Sequence, residues 1–456
     1  MDRNYSRVLD VMKPNLMKEV FPYKSFPVSE YDKVMLPYDL PEDIWITDTT
    51  FRDGQQSMTS FTVEQIVTLF RFLNELDNDN GLIRQTEFFL YSKRDRDAIE
   101  KCKEFGFAFP EITGWIRPKQ EEIQLAKEME IKEAGMLMSC SDYHIFKKLK
   151  KNRQQTYNMY LKAIEKAISL GIKPRCHLED ITRADIFGFV IPLIKSINEI
   201  GKQANVEVKF RICDTLGVGK PFNGHKLPRS VPALIYYLKN VAGLNANQLE
   251  WHGHNDYYYC TANSTSAWIH GASAVSTTLL GIGERTGNCP LESMLVEYHQ
   301  LKKPDFKIRF ELMSEIADYF KSEFGFEVHH KMPFLGDEAN STRAGIHADG
   351  IMKNEEIYHS FDCKSIFNRP MKIVVNQYSG VAGIAGWINL YYDLKGSNCI
   401  SKKDKRISQI KRLIEKEYKE GRVTALSDAE MKSMVTSVLG YEIKTDYESS
   451  ETEEAL

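Results

Sequence analysis

IWITDTTFRDGQQS (44–57) decides the reading of the chain. A short apolar segment runs into polar Arg52 and Asp53, Gly54 follows as the residue of a tight turn, and an amphipathic helix is expected over 62–77. The same unit recurs to about residue 290, with strands read at RQTEFFL (84–90), EITGWIR (111–117), AGMLMSC (134–140), KPRCHLE (173–179), VEVKFRI (206–212), QLEWHGH (248–254) and AVSTTLL (274–280). Helical stretches at 93–105, 151–170, 183–201 and 229–240 lie between them. Strands joined by helix-length crossovers pair in parallel. Eight such units predict an α/β chain built on a closed (β/α)8 TIM barrel. An open doubly wound sheet is the alternative, and it would spread polar strand ends along a wide edge. Here Asp53, Glu179, Asp214, His252, His254, Glu284 and Asn288 fall at or just beyond strand ends, where a barrel gathers its active site. The barrel is the expectation.

Outside the barrel the alternation stops. A helix is expected over 308–323, then a mixed stretch to about 390, then helices over 403–418 and 428–438, where Ser427 and Glu430 form a capping-box pattern. The domains read as an N-terminal arm (1–43), a catalytic barrel (44–305), a mostly helical C-terminal subdomain (306–445) and an acidic tail (446–456) expected to be disordered. The arm has prolines and aromatics without periodicity, and wraps either the barrel or a partner.

Composition excludes several classes. The 456 residues are 42% hydrophobic and 27% charged with a net charge of −3, so there is no general basic field for nucleic acid. No apolar run reaches the roughly 18 residues of a membrane span. The first residues, MDRNYSRVLDVMKPN, lack the apolar core of a signal peptide, and a cytoplasmic protein is expected. The eight cysteines form no CxxC pair, which argues for buried, unpaired thiols.

WHGHND (251–256) carries the strongest chemical signal. On a strand, residues two apart share a face, so His252 and His254 point together. They suit a divalent metal or, alternatively, a hydrogen-bonded structural pair. DTTFRDGQQS (48–57) ends strand one and GIGERTGN (281–288) ends strand eight, both close to strand seven in a closed barrel. One carboxylate (Asp53), two imidazoles and one amide (Asn288) can therefore converge. Such mixed nitrogen and oxygen ligation suits Mg²⁺ or Mn²⁺ better than structural zinc.

From about residue 44 to 390 the segments TFRDGQQ, SCSDYH, HLED, DTLG, HGHND, GIGERTGN and GIHADG occur in one order. In this the chain resembles the metal-dependent acyl-CoA barrel enzymes: isopropylmalate, homocitrate and citramalate synthases, with hydroxymethylglutaryl-CoA lyase as a cousin. The resemblance implies Asp53, His252, His254 and Asn288 as metal-site residues, with Mn²⁺ foremost and Mg²⁺ or Co²⁺ as alternatives. It implies acetyl-CoA and an α-keto acid as substrates, with Arg52 polarising the keto oxygen, against a plain salt-bridge role. His144, Arg175, His177 and Thr215 join Arg52 as substrate-binding residues by the same resemblance. His347, in TRAGIHADGI (342–351), is implied as general base or proton relay reaching the partner's barrel, with Tyr358 and Glu179 assisting. A buried loop histidine is the bland alternative. The swapped element implies a homodimer. The chemistry suits these residue types, because a thioester methyl is a weak carbon acid and needs both a base and a stabilised enolate.

Strand five bears on the keto acid. Arg175, His177 and Glu179 alternate and face the barrel interior, while Cys176 and Leu178 face the helices. A buried arginine needs an anion: either a substrate carboxylate or an ion pair with Glu87 or Glu179. Homocitrate synthases read like R-F-S-x-E-D here, and their arginine holds the distal carboxylate of a dicarboxylic keto acid. In RCHLED the serine position is His177, which reaches farther and favours a shorter diacid, oxaloacetate, with citrate as product. Phe89, where relatives have glycine, is expected to reshape the pocket. The rival readings are a sister synthase with another keto acid, a retro-aldol lyase, a biotin-dependent carboxyltransferase and a non-catalytic binding protein. The lyase's glycine-rich cysteine loop and the carboxyltransferase's strand-end lysine are not evident.

Overall fold

A computed structural model of the chain describes residues 5–24 and 26–440, so the expected acidic tail lies outside the described residues. Eight strands, β1 (Trp45–Asp48), β2 (Ile83–Phe89), β3 (Glu111–Ile116), β4 (Glu133–Ser139), β5 (Lys173–Glu179), β6 (Lys209–Asp214), β7 (Leu249–Gly253) and β8 (Ala274–Thr277), close a barrel in chain order. Every neighbouring pair is parallel, including β1 with β8. The crossover helices are α1 (Val63–Asp77), α2 (Lys93–Lys103), α3 (Gln120–Glu128), α4 (Arg153–Ser169), α5 (Ile191–Gln203), α6 (Val231–Asn240), α7 (Cys260–Ile269) and α8 (Leu291–Lys302). Capping boxes start three of them, at Thr62–Gln65, Ser92–Asp95 and Asn152–Gln155, and satisfy backbone N–H groups that a helix start leaves open. The helix expected over 183–201 starts regularly only at Ile191. Asp185 accepts the Gly188 N–H at 2.8 Å and holds one irregular turn before it.

The apolar core lies between strands and helices: Ile46, Phe88, Met136, Cys176, Leu178, Ile212, Trp251 and Val275 are buried on the outward strand faces. Inward positions of such barrels are usually filled by branched aliphatics. Here they hold charge. Arg175 donates to Gln85 (2.9 Å), Thr113 (2.9 Å) and Glu87 (3.0 Å). Arg211 donates to Glu87 (2.8 Å) and Glu250 (2.9 Å). Glycine at 135 makes this possible, because a Cβ there would lie 2.4 Å from His177 Nε2 and 2.5 Å from Glu87 Oε2.

The arm lies along its own barrel. Leu9 N–H donates to the Gly188 carbonyl, Asn15 N–H to the Asp142 carboxylate, Asp32 N–H to the Gly224 carbonyl and Asp39 N–H to the Ile269 carbonyl. The chain divides into two compact units between Arg309 and Phe310, against the 305/306 boundary expected from sequence. The second unit contains α9 (Leu312–Phe324), β9 (Ser341–Thr342), α10 (Gly345–Ile351), α11 (Cys363–Phe367), β10 (Lys372–Ile373), α12 (Gly380–Tyr391), α13 (Lys405–Lys419) and α14 (Asp428–Leu439). Its core gathers Val375, Ile384, Ile388, Ile407, Ile410, Met431 and Val435. The Ser427–Glu430 box caps α14 as expected. All eight cysteines are free and seven are buried. No helix among the described residues is long and apolar enough to cross a membrane.

Candidate active site

The end of β7 and the loops after β1, β7 and β8 bring the expected metal residues together. Asp53 Oδ2 lies 3.2 Å from His252 Nε2 and 3.7 Å from His254 Nε2, and the ligand atoms of the three buried residues all lie within 4.8 Å of one another. His252 Nδ1 is 3.1 Å from Ser276 Oγ, a contact that sets the ring and leaves Nε2 toward Asp53. The His254 backbone bridges to Asn288, whose Nδ2 donates to the Ile282 carbonyl at 3.1 Å. That amide orientation turns Oδ1 away, and it has no hydrogen-bond partner; neither have Asp53 Oδ2 and His254 Nδ1. Buried polar atoms are normally paired, so this concentration of buried polar atoms without hydrogen bonds fits a cation. Gly283 keeps the room, since a Cβ there would lie 2.1 Å from Asn288 Nδ2. Gly54 opens the one-turn helix Gly54–Ser57, where the sequence places a tight turn. Its φ is not positive, and it is small because a Cβ would meet the Ile282 side chain at 2.9 Å.

Electrostatics suit the same reading. Burial alone would raise the Asp53 carboxyl, but Arg52 and the two imidazoles hold it well below the usual carboxylate range. Burial lowers His252, and it lowers His254 to about 4 against the pull of Asp53. Both rings are therefore neutral near pH 7, the state in which imidazole ligates.

A cavity of about 210 Å³ opens beside this set, lined among others by Arg52, Asp53, Trp115, Leu137, His177, Glu179, Thr215, His252 and His254. Arg52 Nε is fixed on Glu87 Oε1 at 2.9 Å, and its Nη1 lies 3.3 Å from Asp53 Oδ2. Glu179 accepts from Ser139, from Lys148 at 2.8 Å and pairs with His144 Nδ1 at 2.9 Å. Burial opposes its ionisation, yet His144, Lys148 and Ser139 bring its pKa down to about 2. The Thr215 hydroxyl accepts the Asp180 N–H at 2.9 Å. His177 lies over Gly135 with Nε2 3.2 Å from Glu87, outside hydrogen-bond geometry, and burial lowers its pKa to about 3.

Two expectations change. Arg175 was expected to hold a substrate carboxylate, but it is fully buried and does not line the cavity. Its guanidinium is taken up by Glu87, Gln85 and Thr113, with Glu133 and Glu250 each at 3.5 Å. The ion pair with Glu87 is the alternative the geometry supports. Phe89 does not line the cavity either; it packs edge-on against Trp115 at 5.5 Å, and Trp115 forms the wall. Trp115, Leu137, Ser276 and Lys148 were not singled out in the sequence. Only Trp115, near the end of β3, carried a positional signal. His347 and Tyr358 belong to the second unit, where their rings lie 4.4 Å apart.

A closed parallel barrel with a buried carboxylate–imidazole set at its C-terminal mouth defines a metal-dependent barrel enzyme, and residues 43–319 match the HMGL-like family, to which the chain belongs. Over 94% of its length it is 51% identical to the citrate (Re)-synthase of Clostridium kluyveri, covering 95% of that protein. It is 45% identical to the citrate (Re)-synthase of Syntrophus aciditrophicus over 96% of this chain and 70% of that one. Among solved structures, the hydroxymethylglutaryl-CoA lyase of Pseudomonas aeruginosa superposes with a TM-score of 0.50 at 16% identity, covering 63% of this chain and 95% of that one. That likeness concerns the fold alone.

Proposed function

We propose that this chain is an acyltransferase that condenses acetyl-CoA with oxaloacetate and hydrolyses the thioester, giving citrate and CoA. One observation carries the chemistry: Arg52 and the Asp53–His252–His254 set line one small cavity. The end-to-end similarity to two citrate (Re)-synthases supports oxaloacetate as the acceptor.

Asp53, His252, His254 and the free Asn288 Oδ1 would hold a divalent cation, with Mn²⁺ favoured by the mixed donor set. When bound, that cation supplies Lewis-acid charge to the keto acid's oxygens. Arg52, held on Glu87, presents a fixed positive charge where the keto oxygen becomes an alkoxide. Below the cavity, Arg175, Arg211 and Lys209 face Glu87, Glu133 and Glu250, three cations against three carboxylates. His177, neutral and tight over Gly135, limits the length of the acid, while Thr215 and His144 offer polar contacts. Glu179 stays ionised and orients His144. His347, with Tyr358, takes the proton from the acetyl methyl, and the enolate carbon attacks the keto carbon. Water then cleaves the thioester.

The base acts in the partner's barrel of a homodimer. Eight free thiols support a reducing, cytoplasmic setting. The test is CoA release from acetyl-CoA with Mn²⁺ and single keto acids. Oxaloacetate is expected to exceed 2-oxoisovalerate, pyruvate and 2-oxoglutarate. Preference for another keto acid makes this a sister synthase, and cleavage of hydroxymethylglutaryl-CoA makes it a lyase.

A further inference from the structure

The first half of the arm is fastened to the loop that follows β4, beside the candidate site. Arg153, the first residue of α4, is 1% exposed and grips both oxygens of Asp142, at 2.8 and 2.9 Å. Its Nη1 donates to Asp185 at 2.9 Å and to the Leu9 carbonyl of the arm at 3.0 Å. Asp142, itself buried, accepts the Asn15 N–H of the arm at 2.8 Å. The Tyr143 hydroxyl donates to the Leu16 carbonyl at 3.0 Å, and the Lys18 ammonium lies 5.4 Å from the centre of the Tyr143 ring. A buried arginine–carboxylate pair holds well only when its remaining donors and acceptors are also met. Here the backbone of the arm meets one on each partner.

Between Asp142 and α4 the chain forms one wide, irregular turn, Tyr143–Lys148, of the i to i+5 kind that recurs at functional positions. Tyr143 takes the arm, while the next residue and the last reach into the candidate site. His144 Nδ1 lies 2.9 Å from Glu179 and Lys148 Nζ 2.8 Å from it, and Glu179 lines the cavity. The second half of the arm gives the contrast. It too is held by a buried arginine, Arg229, whose Nη1 donates to the Val28 carbonyl at 2.5 Å, and Leu36 exchanges two hydrogen bonds with Asn223. No residue from 220 to 229 lines the cavity. We infer that arm residues 9–18 brace the keto-acid site, with Arg153 as the positioning residue that joins arm, loop and α4. The brace keeps His144 and Lys148 on Glu179, which makes the start of the chain part of the binding machinery. Its effect on substrate rests on the roles proposed for His144 and Glu179; the mechanical link does not.

Hydrogen exchange read by mass spectrometry on the full chain tests the brace without turnover. Asn15→Pro removes the N–H given to Asp142, and Tyr143→Phe removes the hydroxyl given to Leu16. In the double variant, amides 141–149 are expected to exchange faster by about tenfold or more, the scale of one lost charged hydrogen bond, with the β6 amides 209–214 unchanged. KM for oxaloacetate is expected to rise about threefold or more while kcat stays within about twofold, the split that marks lost ground-state binding. Asn223→Ala, which frees the other half of the arm, is expected to leave exchange at 141–149 and KM as in the wild type. Arg153→Lys keeps the charge but not the fork and is expected to repeat the pattern of the double variant, which decides alone if the lysine protein does not fold. Unchanged exchange at 141–149 in the double variant overturns the brace. Equal acceleration at 209–214, or the same changes in Asn223→Ala, overturns it too, since the arm is then a general support. Faster exchange confined to 141–149 with unaltered KM overturns the effect on substrate. Exchange needs no turnover, so failure of the citrate-forming reading leaves the brace standing, and KM is then read with the keto acid that is turned over.

Discussion

His177 and Arg175 sit on one face of one strand and have different work. Residues two apart on a strand are separated by about 6.6 Å along it, so His177 reaches the cavity while Arg175 stays a layer below it. Sequence alternation assigns the face of a residue and not its depth, which is why Arg175 read as a substrate ligand, with an ion pair as the alternative. Replacing Arg175 by Ala leaves Glu87 and Glu250 short of a counter-charge inside the barrel, and breaking such a buried pair costs about 3–5 kcal/mol. The expected outcome is a clear fall in the unfolding midpoint, with turnover lost along with stability. An Arg175→Ala protein that melts like wild type but loses keto-acid affinity would return the residue to substrate binding. His177→Ser tests length separately. It opens space over Gly135 and is expected to raise kcat/KM for 2-oxoglutarate relative to oxaloacetate by about tenfold, the scale of one methylene in a shaped pocket. An unchanged ratio removes His177 from specificity.

Elements were legible where pattern and polarity agreed. The barrel strands showed themselves through recurring apolar segments with polar ends, and HGH at the end of β7 declared a shared face. Helix α12 did not, because GVAGIAGWINLY is apolar all round and has no stripe to read. Of the partners that hold the site, Ser276 on β8 carried no signal, and Glu87 on β2 was read only as a partner for Arg175 and not for Arg52. Helix α8 gives a measurable case. Glu292 lies in its first turn, where the helix dipole favours a carboxylate. Burial nevertheless raises its pKa to about 7 from 4.5, and Oε2 has no partner. The folded protein thus keeps a proton that the unfolded chain has released above pH 4.5, so this group's contribution falls as pH rises from about 4.5 through 7. The loss totals on the order of 3 kcal/mol. Denaturant midpoints at pH 5 and pH 8 are expected to differ less in Glu292→Gln than in wild type. An equal difference in the two proteins would mean that Glu292 titrates normally.

At the scale of the molecule, Asp53, His252 and His254 belong to the first unit and His347 to the second. If His347 serves the partner's barrel, mixed His347→Ala and Asp53→Ala protomers regain activity, up to about a quarter of the sites if subunits exchange at random, while each parent alone is nearly inactive. No recovery despite proven exchange would assign the base to its own chain. The central claim is that Asp53, His252, His254 and Asn288 hold a cation essential to condensation. It is tested most directly by titrating Mn²⁺ into metal-free protein while following CoA release from acetyl-CoA and oxaloacetate. The expected result is no turnover at the start, a rise that saturates at one ion per chain, and a flat line for folded His252→Ala. Full turnover in the metal-free protein would contradict it.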